Sequence, residues 1–253
     1  MLRSKLTIAG SNFIFNHISE NYSEYLNRKK KLRVIFRGIN IDYFSQKNIS
    51  ILKQEKLKVE WQLSPDKFTI LLPGRLTNWK GQEKFIDALN ILVEDYNSSN
   101  FQTVILGSDQ GRKVYKKKLV SLVQRYRLGR KIIFVDHCKE MPLAYSLADV
   151  VVSSSIEPEA FGRVSVEAQS MGKPIIASDL GGSKETILNK KSGFLYKHDD
   201  PRELAKNLNI VMELGQDALN SMGNEGRKNI SKKFDVEAMC DSTLREYKKL
   251  LNI

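Results

Sequence analysis

The sequence predicts an α/β protein built on a doubly wound parallel sheet. Short continuous apolar runs recur along the chain, as in strands buried on both faces of a sheet. Stretches with apolar residues three and four apart separate them, as in helices that cover those faces. Turn-forming or polar segments follow the runs: Pro73-Gly74-Arg75, Gly107-Ser108-Asp109, Asp136-His137 and Ser153 to Gly162. Ligands of such sheets sit beyond the carboxyl ends of the strands, so these segments are where chemistry is expected.

The elements follow in order. Leu6-Thr7-Ile8-Ala9 reads as a strand, Ser11 as the cap of a helix reaching about Leu26, and Leu32 to Phe36 as a second strand ending at Gly38. One strand-helix-strand cannot cover both faces of a sheet, so residues 1–45 read as the remnant of a larger domain. Residues 46–66 are polar, helical at best, with a turn at Ser64-Pro65-Asp66, and read as a linker. The main domain is expected over 67–233. Its strands are Phe68 to Leu72, Phe101 to Leu106, Lys131 to Val135, Asp149 to Ser153, Pro174 to Ser178 and Gly193 to Tyr196. Phe85, Ile86, Leu89, Leu92 and Val93 form the buried stripe of one helix. A basic helix spans about Val114 to Tyr126, and a short one surrounds Leu143. Asp200-Pro201-Arg202-Glu203 combines an Asp N-cap, a first-turn Pro and a Glu placed for a capping box. Helical stretches near Ala218 to Lys232 and Val236 to Leu251 finish the chain, the last forming a C-terminal helix over 234–253.

Of 253 residues, 41% are hydrophobic, enough for a real core, and no apolar run is long enough to span a bilayer. Neither a signal peptide nor metal-like cysteine spacing is visible, which makes a reduced, cytoplasmic compartment the expectation. The net charge is +12, and residues 1–60 hold 12 Lys/Arg against 5 Asp/Glu. The densest run is Arg28-Lys29-Lys30-Lys31, with Arg33 beyond it. The run reads first as a solvated basic turn, and otherwise the charge suits a polyanionic partner, a phosphate-bearing substrate or an anionic membrane face. Nucleic acid is not expected, because no recognition signature accompanies the charge.

Two segments carry the chemistry. In Gly74-Arg75-Leu76-Thr77-Asn78-Trp79-Lys80-Gly81, a guanidinium at a strand end and an ammonium at the next helix can bracket a diphosphate. The Gly-Lys-Ser/Thr ending of a Walker loop is absent. In Glu157 to Glu167, a helix beginning near Gly162 would turn free N–H groups to the same crevice. Glu159 and Glu167 stand eight positions apart, roughly 12 Å if helical, and could grip hydroxyls at two ends of an extended ligand. Gly181-Gly182 allow a tight turn beside that ligand, with Glu185 fit equally for capping or for ligand contact. His137 follows a strand end and is placed to line the crevice, whereas His17 and His198 read as surface residues. No Asp-x-Asp occurs, so no metal cofactor is expected on the diphosphate.

Together these residues resemble the retaining nucleotide-sugar glycosyltransferases of family 4, which have the two-domain GT-B architecture. The resemblance rests on Gly74-Arg75-Leu76 with Lys80-Gly81, Glu159 with Glu167, and Gly181-Gly182 with Glu185. Ser192-Gly193-Phe194-Leu195, Gly38-Ile39-Asn40 and Phe44 fit as well, so it runs from about Leu6 to the C-terminus. It implies that Arg75 and Lys80 hold the donor diphosphate, that Glu159 binds sugar hydroxyls, and that Glu167 binds the ribose. It also places backbone of Phe161, Gly162, Arg163 and Val164 against sugar and phosphate, and the loop from Val135 to Met141 near the base. There the family usually has Phe-x-Gly-His, and this chain has Phe134-Val135-Asp136-His137. Of the family's N-terminal acceptor domain only a last strand-helix-strand matches, at Leu6 to Phe36.

The implied function is transfer of a hexosyl group from a nucleoside-diphosphate sugar to a glycan or lipid-linked acceptor, with retention. Lipopolysaccharide or envelope glycan assembly is the expected setting, with contact at the inner face of the membrane. The competing expectation is a truncated or split nucleotide-sugar-binding module that does not transfer alone. It would be completed by a separate N-terminal-domain chain or a second copy.

Overall fold

The computed structural model describes residues 4–25 and 31–252. A six-stranded parallel sheet forms its centre: β3 (Phe68–Pro73), β4 (Phe101–Leu106), β5 (Ile132–Val135), β6 (Val150–Ser153), β7 (Ile175–Ser178) and β8 (Gly193–Tyr196). Their order across the sheet is β5-β4-β3-β6-β7-β8. Relabelled from β3, this is the doubly wound order of dinucleotide-binding folds, and the winding reverses between β3 and β6.

The apolar runs are explained by the sheet's two faces, because alternate side chains point to opposite sides. Ile70, Leu72, Ile105, Val150, Val152 and Ile176 join one core, and Leu71, Val104, Leu106, Val151, Ile175 and Ala177 join the other. The first face is covered by α3 (Gln82–Glu94), α4 (Lys113–Arg125) and α8 (Pro201–Glu213) through Phe85, Leu89, Leu119, Leu204 and Leu208. The second is covered by α2 (Ile51–Glu60), α5 (Met141–Ser146), α6 (Arg163–Ser170) and α9 (Gln216–Lys233) through Leu57, Tyr145, Val166 and Ile230. The segment expected as a linker thus places Leu57 and Trp61 in this second core.

A separate parallel pair, β1 (Leu6–Ala9) and β2 (Lys31–Val34), is bridged by α1 (Asn12–Asn21). Two expected boundaries shift: the first helix ends at Asn21 rather than near Leu26, and β2 ends at Val34 rather than Phe36. Arg28 to Lys30 lie outside the described residues. The small pair is tied to the main body by a bridge between Ile39 and Asp235, where the last helix, α10 (Val236–Leu251), begins. The tetrapeptide α7 (Ser183–Thr186) follows β7.

Asp200 caps α8 as expected, accepting from the N–H groups of Arg202 and Glu203, both at 3.0 Å. The capping box is replaced, since Glu203 accepts instead from the Lys197 N–H at 2.7 Å. No described helix is long and apolar enough to cross a membrane.

Candidate functional site

The reversal between β3 and β6 opens a cavity of about 590 Å³ at the carboxyl ends of the strands. Its lining includes Gly74, Arg75, Trp79, Lys80, Glu159, Arg163 and Val164. Tyr43, Phe44, Lys139, Met141, Tyr145 and Glu167 belong to the same lining.

The loop after β3 is fixed by its backbone. Gln82 donates to the Arg75 carbonyl at 2.8 Å, Ser154 Oγ to the Lys80 carbonyl at 2.9 Å, and the Ile156 N–H to the Trp79 carbonyl at 2.8 Å. Gly81 sits at φ 69°, where a Cβ would collide with the Ser154 carbonyl, so only glycine fits. This arrangement presents Arg75 and Lys80 together. The Lys80 Nζ lies 4.5 Å from the Trp79 ring centroid and the Arg75 guanidinium carbon 6.0 Å from it. Among the described residues Arg75 has no salt-bridge partner.

Lys80 and Glu159 meet directly. Their side chains are 13% and 11% exposed, and Nζ stands 2.7 Å from Oε1. That same oxygen accepts from Ser155 Oγ at 2.6 Å. The ammonium therefore neutralises the carboxylate and keeps N–H donors to spare, because one lysine carries three.

The helix α6 begins at the crevice. Gly162 is its N-cap at φ 84° and supplies no capping side chain. The first-turn N–H groups of Arg163 and Val164, which line the cavity, are left for an incoming anion. A Cβ on Gly162 would lie 2.5 Å from Ser183 Oγ, so the helix start packs against the turn after β7. One turn further in, Glu167 is buried; Tyr145 donates to it at 2.9 Å and Arg163 at 2.7 Å. Burial first, then the Glu167 charge, push the Tyr145 phenol well above its ordinary pKa, so it stays a donor.

Gly74, Arg75, Lys80, Glu159, Arg163, Val164 and Glu167 thus converge on one crevice. Three expected residues stand apart from its lining. His137 is exposed at the end of β5, and Phe161 is buried edge-on against Phe234, with ring centroids 5.7 Å apart. Gly162 acts through its backbone as the cap. Asp136, beside His137, turns to Lys116 at 2.6 Å. Glu185 serves as a cap: its carboxylate accepts from the N–H groups of Asn12 and Phe13 at 2.9 and 2.7 Å.

Sequence reasoning missed Tyr43, Trp79, Lys139, Met141 and Tyr145. Trp79 lay inside a motif already singled out, and Lys139 and Met141 lay in or at the end of the loop assigned to the base. Tyr145 gave no signal beyond an aromatic in an apolar helix. Among the described residues no cluster of three or more His, Cys, Asp or Glu could hold a metal.

The sequence model of the family described as glycosyl transferases group 1 matches residues 53–229, which contain this whole convergence. The chain belongs to that family. Its fold is also found in solved structures. It is 31% identical to a glycosyltransferase from Rickettsia africae, with a TM-score of 0.91, covering 99% of this chain and 64% of that one. It is 26% identical to HepE of Anabaena, solved in complex with UDP-glucose, with a TM-score of 0.84 over 97% of this chain and 64% of that one. The D-inositol 3-phosphate glycosyltransferase of Jonesia denitrificans is 28% identical over 233 residues, 91% of this chain and 54% of the relative. The chain thus spans about half the length of such a relative, and its α/β sheet has the Rossmann-like fold of these GT-B neighbours.

Proposed function

We propose that this chain is the donor-binding half of a retaining family 4 glycosyltransferase that moves a hexosyl group from a nucleoside-diphosphate sugar to a glycan or lipid-linked acceptor. The observation that carries the reading is the convergence of Arg75, Lys80 and the uncapped start of α6 with two carboxylates at one switch-point crevice. The cations and N–H groups suit a diphosphate, Glu159 a sugar hydroxyl, and Glu167 a ribose diol. Charge on the departing diphosphate is met by Arg75, Lys80 and the helix start, with no metal required. Binding of UDP-glucose by HepE supports the donor class. The basic first quarter of the chain suits an anionic membrane surface beside a lipid-linked acceptor in envelope or lipopolysaccharide assembly.

A second reading is a donor-binding module that transfers only together with another polypeptide or a second copy. Calorimetry with nucleoside diphosphates and sugar release from the matching donor test both. Binding with turnover supports the first reading, and binding with turnover only on adding a partner supports the second. No binding of UDP, GDP or ADP would overturn the donor site itself. Where turnover occurs, Lys80→Ala should lower kcat on the order of a hundredfold with a smaller change in KM.

A further inference from the structure

The two oxygens of Glu167 are held unequally. Oε2 accepts from the hydroxyl of Tyr145, which is fully buried, at 2.9 Å. Oε1 accepts from Arg163, through Nε at 3.1 Å and a terminal nitrogen at 2.7 Å. The Arg163 side chain is 72% exposed. The first contact is locked by packing. The second is an ion pair between positions four apart on a helix, made by a long side chain mostly in water, and such pairs are weak.

Arg163 also occupies the first position of α6 and lines the crevice beside the free N–H groups. Two anions therefore compete for one guanidinium: the Glu167 carboxylate in the free protein and the diphosphate of a bound donor. A ribose hydroxyl seeking Glu167 meets an oxygen that Arg163 already covers. Resting on the donor-site reading above, we propose that Arg163 is a latch. It covers Oε1 of Glu167 in the free protein and transfers to the diphosphate when donor binds, and this opens the oxygen to a ribose hydroxyl. Ribose recognition is thereby conditional on the diphosphate. A nucleoside must break the ion pair and offers the guanidinium nothing in return, so the site discriminates against it.

The test compares affinities in the full chain. Calorimetry gives Kd for UDP, GDP and ADP, and ligand-observed NMR, which reaches millimolar Kd, gives it for uridine, guanosine and adenosine. Exposure of Arg163 makes a folding defect in Arg163→Ala unexpected, and circular dichroism checks it. The variant should lose on the order of tenfold for the preferred diphosphate, the scale of one charge-assisted contact, while its nucleoside binds as well or better. Arg163→Lys keeps a cation for phosphate without the fork on the carboxylate, so it should hold the diphosphate and relax the penalty on the nucleoside. Parallel weakening of both ligand classes in Arg163→Ala would reduce Arg163 to a support of Glu167, and an unchanged diphosphate affinity would equally overturn the latch. Failure of the wild type to bind any of the three diphosphates is a different result, since it removes the donor site beneath the proposal.

Discussion

At the residue scale, two cations assigned to the same phosphate end are embedded very differently. Lys80 is nearly buried against Glu159, whereas Arg75 is exposed and without a salt-bridge partner among the described residues. Removing one member of a buried pair strands the other charge and costs about 3–5 kcal/mol, whereas an exposed side chain is worth about 0.5 kcal/mol or less. Lys80→Ala should therefore lower Tm by several degrees while Arg75→Ala leaves it nearly unchanged. Equal melting temperatures, read by calorimetry in the absence of ligand, would show that the pair carries no such load. That Arg75, Lys80, Glu159 and Glu167 line one crevice was legible because strand ends, glycines and acid spacing are local patterns. That Lys80 lies on Glu159, 79 positions away, was not. Neither was Tyr145 on Glu167, because a long-range partner leaves no periodicity in the sequence.

At the scale of elements, strand positions read well, since apolar runs of a parallel sheet are buried on both faces and stand out from amphipathic helices. Helix ends read less well. The capping box expected at Glu203 became a bond to Lys197, because a side chain within reach of two N–H groups is not assigned by spacing alone. Glu185 is a stronger case. Its carboxylate caps α1 across 172 and 173 positions, and Ser11 of the same cap donates to the Ala160 carbonyl. Because α1 contains no buried residue, these polar contacts hold much of it in place. Glu185→Ala should cost about 1–2 kcal/mol locally, the range of a lost helix cap. Hydrogen exchange should accelerate across α1 and its neighbouring strands while the six-stranded sheet keeps its protection. Uniform protection along the whole chain would mean that α1 is held by something other than this carboxylate.

For the whole molecule, the doubly wound class was legible from the alternation of strands and helices, and the strand order then follows from how such chains wind. The place of residues 46–66 was not legible, because α2 is mostly polar and enters the core through little more than Leu57 and Trp61. The crevice itself is assembled from backbone. The start of α6 rests on Ser183 through Gly162, the Glu159 carbonyl accepts the Gly182 N–H at 2.7 Å, and the loop after β3 meets Ser154 at Gly81. Three loops are joined through main chain, so none can move far without the others. The consequence is kinetic. Only side chains such as Arg75, Arg163 and Lys139 must reorient, and exposed rotamers change in picoseconds to nanoseconds. Mixing a fluorescent nucleoside diphosphate with the chain in a stopped-flow instrument should give one exponential whose rate rises linearly with ligand concentration. A plateau at high concentration would instead reveal a slow closing step after encounter.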